Sequence, residues 1–204
     1  MSIRVFKQQL LNELYAPYAA CMMCPLGSAG RSRVVFGEGN PDAEIMLVGE
    51  GPGRDEDEQG RPFVGRSGKL LRKALDAVGI DVATVYITNI VKCRPPSNRL
   101  PLPNERSICT NLLLYKQIKI IQPKVICALG SCAAQSLLYG DTPTALRITQ
   151  VHGQPLHSPV LGPDITIIPV YHPAYVLRNQ RELEPFMYDL ATVARSAQSD
   201  CPTR

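Results

Sequence analysis

No apolar run in this chain reaches the ~20 residues that a bilayer-spanning helix needs. The opening, MSIRVFKQQLLNELYAPYAAC, is interrupted by Lys7, Gln8, Gln9, Asn12 and Glu13, so it lacks the continuous apolar stretch of a secretory leader. These absences predict a cytoplasmic protein without membrane attachment. Internal repeats and low-complexity linkers are also missing. The expectation is therefore one domain over residues 1–204, with residues 1–40 integrated into it and a tail from about residue 196. Two phosphate-binding signatures fail as well. The turn GEGPG breaks the G-x-G-x-x-G pattern at Arg54, and no Gly-Lys-Ser/Thr follows it. Apolar residues make up 45% of the chain, which excludes disorder and allows a substantial core. The formal charge of +4 permits an anionic partner without requiring one.

Seven cysteines in a chain read as cytoplasmic point to metal or redox use rather than to disulfides. Cys21 and Cys24 form a C-x-x-C pair, a spacing that lets two thiolates share one metal centre. Cys93 and Cys109 are the candidates for the remaining two ligands, one before the helix-stopping Arg-Pro-Pro and the other in an expected helix. Four thiolates suit a 4Fe–4S cluster or a tetrahedral zinc ion, and ligand type alone does not choose. Buried cysteines of no chemical role are the competing interpretation. Cys127 and Cys132, flanking an apolar stretch, read as such core residues, and Cys201 as incidental to a polar tail.

The chain alternates short apolar runs with helical periodicity. Strands are expected at Ala43–Gly49, Val85–Val91, Val125–Leu129 and Ile165–Val170. Helices are expected at Val5–Ala20, Ser67–Val78 (with Ser67 as cap), Asn104–Ile121, Ser131–Leu138 and Glu182–Ala197. This pattern predicts an α/β fold with a mainly parallel sheet covered on both faces. Ligands bind such sheets at the carboxyl ends of the strands. Three unusual segments start there. Gly49, Gly51 and Gly53 surround Glu50 after the first strand and allow backbone to approach a flat ligand. Asn89 interrupts the second strand with a carboxamide that offers both donor and acceptor. His172 follows the last strand and leads into Tyr175, Val176, Leu177 and Arg178. That mixture of apolar side chains and a cation fits a loop that wedges into a DNA groove. Phe63, one of four phenylalanines, lies among glycines and arginines, where a ring could stack on a base.

The run of CMMCPL, GEGPGRDED, GRPFVGRSGKLL, YITNIVKCRPPSNRLP, PKVICALG and HPAYVLR, in that order from Cys21 to about Arg178, resembles the iron–sulfur (family 4) uracil-DNA glycosylases of the uracil-DNA glycosylase superfamily. The resemblance implies a three-layer α/β/α sandwich around a short, mainly parallel four-stranded sheet. It implies a 4Fe–4S cluster on Cys21, Cys24, Cys93 and Cys109, structural rather than redox-active. It implies a monomer acting on uracil-containing DNA: uracil is flipped out and its N-glycosidic bond hydrolysed, leaving an abasic site. In that scheme Phe63 stacks on uracil, Asn89 reads its edge, His172 donates to a uracil oxygen, and Glu50 orients water. The best-known branch has Asp and Tyr where this chain has Gly51 and Gly53. The carboxylate role then falls to Glu50, and exclusion of thymine is assigned to Glu56. Phosphate contacts are expected from Lys92, Arg94, Arg99 and Arg178, and Asp55 to Glu58 are expected to pair with Arg54, Arg61 and Arg66. A non-catalytic iron–sulfur DNA-binding module would have no use for Glu50, Phe63, Asn89 and His172 together. A relative that cross-links to uracil DNA would carry a His-bearing insertion that NIVKCRPP lacks.

Overall fold

A single mixed sheet of six strands organises the chain. The structure, a computed structural model, describes residues 2–140, 142 and 145–198; Cys201 lies outside them. The strands are β1 (Glu38–Gly39), β2 (Ile45–Gly49), β3 (Tyr86–Asn89), β4 (Val125–Leu129), β5 (Leu156–Ser158) and β6 (Gly162–Val170). Their order across the sheet is β1-β3-β2-β4-β6-β5. The inner four are parallel, in register Met46 with Tyr86, Leu47 with Cys127 and Ile126 with Ile167. These are the four expected strands, with boundaries shifted by a few residues. The expectation of a four-stranded sheet is corrected at its edges, where β1 and β5 add antiparallel strands. Both are too short, at two and three residues, to carry a periodic signal, and β5 is irregular at His157 and Ser158.

The β-branched and long apolar residues of the inner strands alternate between two cores. Met46, Val48, Tyr86, Ile126, Ala128 and Ile167 face one side. There they meet α1 (Ile3–Tyr15), α6 (Ser131–Tyr139) and the helical run α4 (Pro103–Cys109), a π turn (Thr110–Leu114) and α5 (Tyr115–Ile121). Leu47, Ile87, Val125, Cys127, Leu129 and Val170 face the other side. They meet α3 (Arg66–Ala77), α8 (Pro173–Arg178) and α9 (Leu183–Gln198); two further short helices are α2 (Arg54–Gln59) and α7 (Ile148–Val151). Burial on both faces explains why the inner strands read as unbroken apolar runs. Leu11, Leu26 and Val34 pack into the first core, so the first forty residues share it with the sheet.

Local chemistry moves three other boundaries. The first helix stops at Tyr15, and Pro17 turns the chain into a 3-10 segment. Ser67 is not the cap of α3; that position is Gly65, and Ser67 is free to face a cavity. The helix α9 runs through Gln198, slightly past the expected start of a tail.

Candidate active site and cysteine cluster

The carboxyl ends of β2, β3 and β6 open into a cavity of about 480 Å³. Its walls include Glu50, Gly51, Pro52 and Gly53 after β2, Asn89 at the end of β3, and His172, Tyr175 and Arg178 around α8. Phe63 comes from the loop before α3, and Asn98, Arg99 and Leu100 come from the proline-rich loop after β3. The ring centroids of Phe63 and His172 stand 6.1 Å apart. Gly49 lies against Phe63 and Asn89: a Cβ there would come within 2.5 Å of both the Phe63 ring and Asn89 Oδ1. The residues singled out after three different strands therefore share one chamber.

Each wall residue is held by identifiable contacts. Phe63 adopts φ 52°, in the left-handed region that costs a bulky residue about 1–3 kcal/mol. Two features impose it. Glu56 accepts from the amides of Val64 and Gly65 at 2.9 Å each and from Gly53 at 3.1 Å. Gly68 lets α3 approach the Phe63 backbone so closely that any Cβ would overlap its carbonyl. His172 caps α8: its Nδ1 accepts from the Ala174 amide at 3.1 Å, which leaves the proton on Nε2. Burial, helped by Arg178, lowers its pKa to about 4, so the ring is neutral near pH 7. Glu50 is raised above the ordinary carboxylate range by burial, with Arg106 opposing. Asn89 is 1% exposed, and its Oδ1 has no hydrogen-bond partner. An unmade bond at a buried acceptor costs about 1–3 kcal/mol and marks where a donor from a ligand belongs.

The acidic run after the glycine turn has a different use from the one expected. Arg54 does pair with Glu58 at 2.8 Å. Arg61, however, reaches Glu38 at 2.7 Å, and Asp57 accepts from the amides of Ser32 and Arg33. Glu56, expected as a thymine gate, has its carboxylate committed to three amides and acts as a fixed brace of the wall. Three expectations about DNA contacts also change. Lys92 is 1% exposed and donates to Thr88 Oγ1, Asn89 O and Gln117 Oε1, so it does not reach phosphate. Val176 is fully buried in the second core and is not part of a wedge. Arg99 forks onto Glu105 at 2.8 and 2.7 Å, which leaves little of its guanidinium for phosphate. Arg178 is exposed, Leu177 and Tyr175 are half-buried, and Arg94 donates to Asn98 at 2.8 Å. Sequence reasoning passed over Leu100, which is 67% exposed at the cavity rim, and Arg106 beside Glu50. An apolar residue inside PPSNRLPLP was the available signal for the first.

The four candidate cysteine ligands lie in or against the same core. Cys93 and Cys109 are buried, Cys21 and Cys24 half-buried, and all four border the first core. The Cys93 thiol lies in the field of Cys21 and Cys24, and the Cys109 thiol in that of Cys93 and Cys24. Burial lifts the Cys93 thiol to about 11 and the Cys109 thiol to about 12. Donors already point at two of the sulfurs: Arg31 Nε to Cys93 at 3.0 Å and the Lys92 amide to Cys109 at 3.3 Å. Among the described residues no group of three or more His, Cys, Asp or Glu converges on a single ion. Also among the described residues, no helix is long and apolar enough to cross a membrane.

The chain is similar to known proteins over most of its length. The family model described as Uracil DNA glycosylase superfamily matches residues 36–192. A Type-4 uracil-DNA glycosylase of Thermotoga maritima is 46% identical over 174 residues, covering 85% of this chain and 86% of that protein. One from Archaeoglobus fulgidus is 38% identical over 193 residues, covering 95% and 96%. One from Pyrobaculum aerophilum is 40% identical over 181 residues, covering 89% and 91%.

Proposed function

The chain belongs to the uracil DNA glycosylase superfamily, and on that premise we propose that it flips uracil out of DNA and hydrolyses its N-glycosidic bond. The observation that carries this reading is the unpartnered Oδ1 of Asn89, buried in the same cavity as Phe63, His172 and Glu50. Uracil presents an N3–H flanked by two carbonyl oxygens. Asn89 Oδ1 accepts from N3–H, and the amide nitrogen donates to the adjacent carbonyl. Phe63 supplies the stacking face, worth about 1–3 kcal/mol per base. Gly49 keeps the floor open for the ring, and Gly51 and Gly53 keep the turn close to it.

Bond cleavage puts negative charge on the departing base and positive charge on the sugar. The neutral His172 donates from Nε2 to a uracil oxygen as charge gathers there, a fixed donor in a dry site. A neutral imidazole does this without giving up its proton. Ionised Glu50 orients the attacking water and stabilises the sugar cation. Arg106 opposes the effect of burial and keeps more of Glu50 ionised at a given pH.

DNA binding follows from the rim. Arg178 and Arg94 serve the backbone phosphates, and Leu100 joins Tyr175 and Leu177 as the apolar group that fills the vacated stack. Cys21, Cys24, Cys93 and Cys109 would hold a 4Fe–4S cluster. The donor set fits: four cysteines bordering one core, with Arg31 and the Lys92 amide aimed at the Cys93 and Cys109 sulfurs. These residues belong to the N-terminal segment, the loop after β3 and α4, which a bound cluster would link structurally; no step of the hydrolysis requires electron transfer.

The test is an excision assay with uracil opposite adenine, opposite guanine and in single strands. Free uracil and an abasic product are expected. A protein–DNA cross-link would place the chain with covalent relatives instead, and DNA binding without release would leave only a binding module.

A further inference from the structure

Behind the uracil cavity, Lys92 has an unusual setting. It is 1% exposed, and the three N–H bonds of its ammonium meet three acceptors: Thr88 Oγ1 at 2.5 Å, Asn89 O at 2.8 Å and Gln117 Oε1 at 2.6 Å. The acceptors are themselves fixed. The Thr88 hydroxyl donates to Phe36 O at 2.8 Å, and Gln117 Nε2 donates to Phe36 O at 3.0 Å and Tyr86 Oη at 3.3 Å. Past the end of β3 the chain stays paired with β2, through Ile90 N to Gly49 O at 2.8 Å and Val91 N to Glu50 O at 3.1 Å. Asn89 and Glu50 therefore ride on one short ladder, and Lys92 clamps its end. The Lys92 amide continues the connection to Cys109 Sγ.

We propose that Lys92 is a positioning residue for excision, whose ammonium fixes the Asn89 main chain so that its carboxamide meets the pyrimidine edge, and keeps Glu50 in register beside it. This rests on the reading of the cavity as a uracil slot. Asn89 Oδ1 has no partner of its own, so the side chain is not held at that atom. Its main chain is held by the pairing with β2 at Gly49 and, at the Asn89 carbonyl, by Lys92. A buried ammonium is costly to desolvate, and an apolar chain of similar volume would fill the core at lower cost. Three acceptors within reach call for three N–H donors, which the lysine amine supplies when protonated.

Lys92→Met, Thr88→Val and Gln117→Met test the clamp. Three quantities are read: visible absorbance per chain, calorimetric affinity for free uracil, and single-turnover excision. In folded Lys92→Met, uracil affinity and excision rate are expected to fall about tenfold or more, while affinity for uracil-free duplex stays within about twofold, since its phosphate contacts lie elsewhere. In an Asn89→Ala background the same substitution adds little, because the two act as one unit. Thr88→Val and Gln117→Met, each removing one acceptor, weaken uracil binding several-fold. Wild-type affinity in folded Lys92→Met, or losses that simply add to those of Asn89→Ala, overturns the proposal. Should Lys92→Met not fold, wild-type affinity in both partial variants overturns it. If the unmutated protein neither binds nor excises uracil, the cavity reading fails and the positioning role with it; normal wild-type binding with unaffected variants removes only the latter.

Discussion

At the scale of single residues, the two charged-state assignments are open to measurement. His172→Ala and Glu50→Ala are each expected to lower single-turnover excision by at least about tenfold, the usual scale for such groups. Near-wild-type rates would remove that residue from the mechanism. The pH behaviour carries signs. Glu50 must be ionised and its pKa is raised, so excision should fall off on the acid side at a pH above the ordinary carboxylate range. Arg106→Gln should move that limb higher still, since it removes the opposing charge. For His172 the folded pKa, about 4, lies below the unfolded value of about 6.5. Between these the unfolded chain binds a proton that the folded chain does not, so stability drops as pH falls through this window. Denaturant unfolding of His172→Gln across the same range should show a shallower slope; an unchanged slope would contradict the shift. Asn89→Asp should reduce the preference for uracil over cytosine, read as the ratio of their excision rates.

The residues themselves were legible in the chain because types with obvious chemistry stood at strand ends. Glu50, Phe63, Asn89 and His172 needed no tertiary information to be singled out. What holds them did not show. The left-handed φ of Phe63 and the brace from Glu56 depend on contacts across eight or nine residues of turn. Lys92 looked like a phosphate ligand because a lysine beside arginines usually is one; its burial follows from the position of Gln117, twenty-five residues away.

At the scale of elements, the inner strands could be read because burial on both faces demands apolar runs, whereas β1 and β5 are shorter than any period. The helix expected over Asn104–Ile121 is present, but a π turn over Thr110–Leu114 follows Cys109 directly. Such turns insert one extra residue per turn, and no composition rule marks them. The approach of α3 to the Phe63 loop gives a prediction at this scale. Gly68→Ala should displace that loop, because the new Cβ has no room against the Phe63 carbonyl. A misplacement of about 1 Å can cost on the order of 10²-fold in rate, so excision should fall at least tenfold while DNA affinity holds. The proline-rich loop gives another. Leu100→Ala should slow excision from duplex DNA several-fold and leave single-stranded substrate unaffected, since a wedge matters only where bases must be unstacked. Equal losses on both substrates would assign Leu100 to the cavity wall instead.

At the scale of the whole molecule, the carboxyl ends of β2, β3 and β6 bring together the loops that line the cavity, and the four candidate cysteine ligands border the first core. Purified without oxygen, the protein is expected to be brown and to contain iron; colourless protein with stoichiometric zinc would reject the cluster. Affinity for DNA should fall with salt, and Arg178→Ala should flatten that dependence by about one phosphate contact. The central claim remains geometric: one slot takes an extruded pyrimidine. A crystal structure with free uracil measures it most directly. The ring should lie on Phe63, with its N3–H on Asn89 Oδ1 and a carbonyl oxygen on His172 Nε2. Uracil seated anywhere else, or an empty cavity at saturating uracil, would contradict the account.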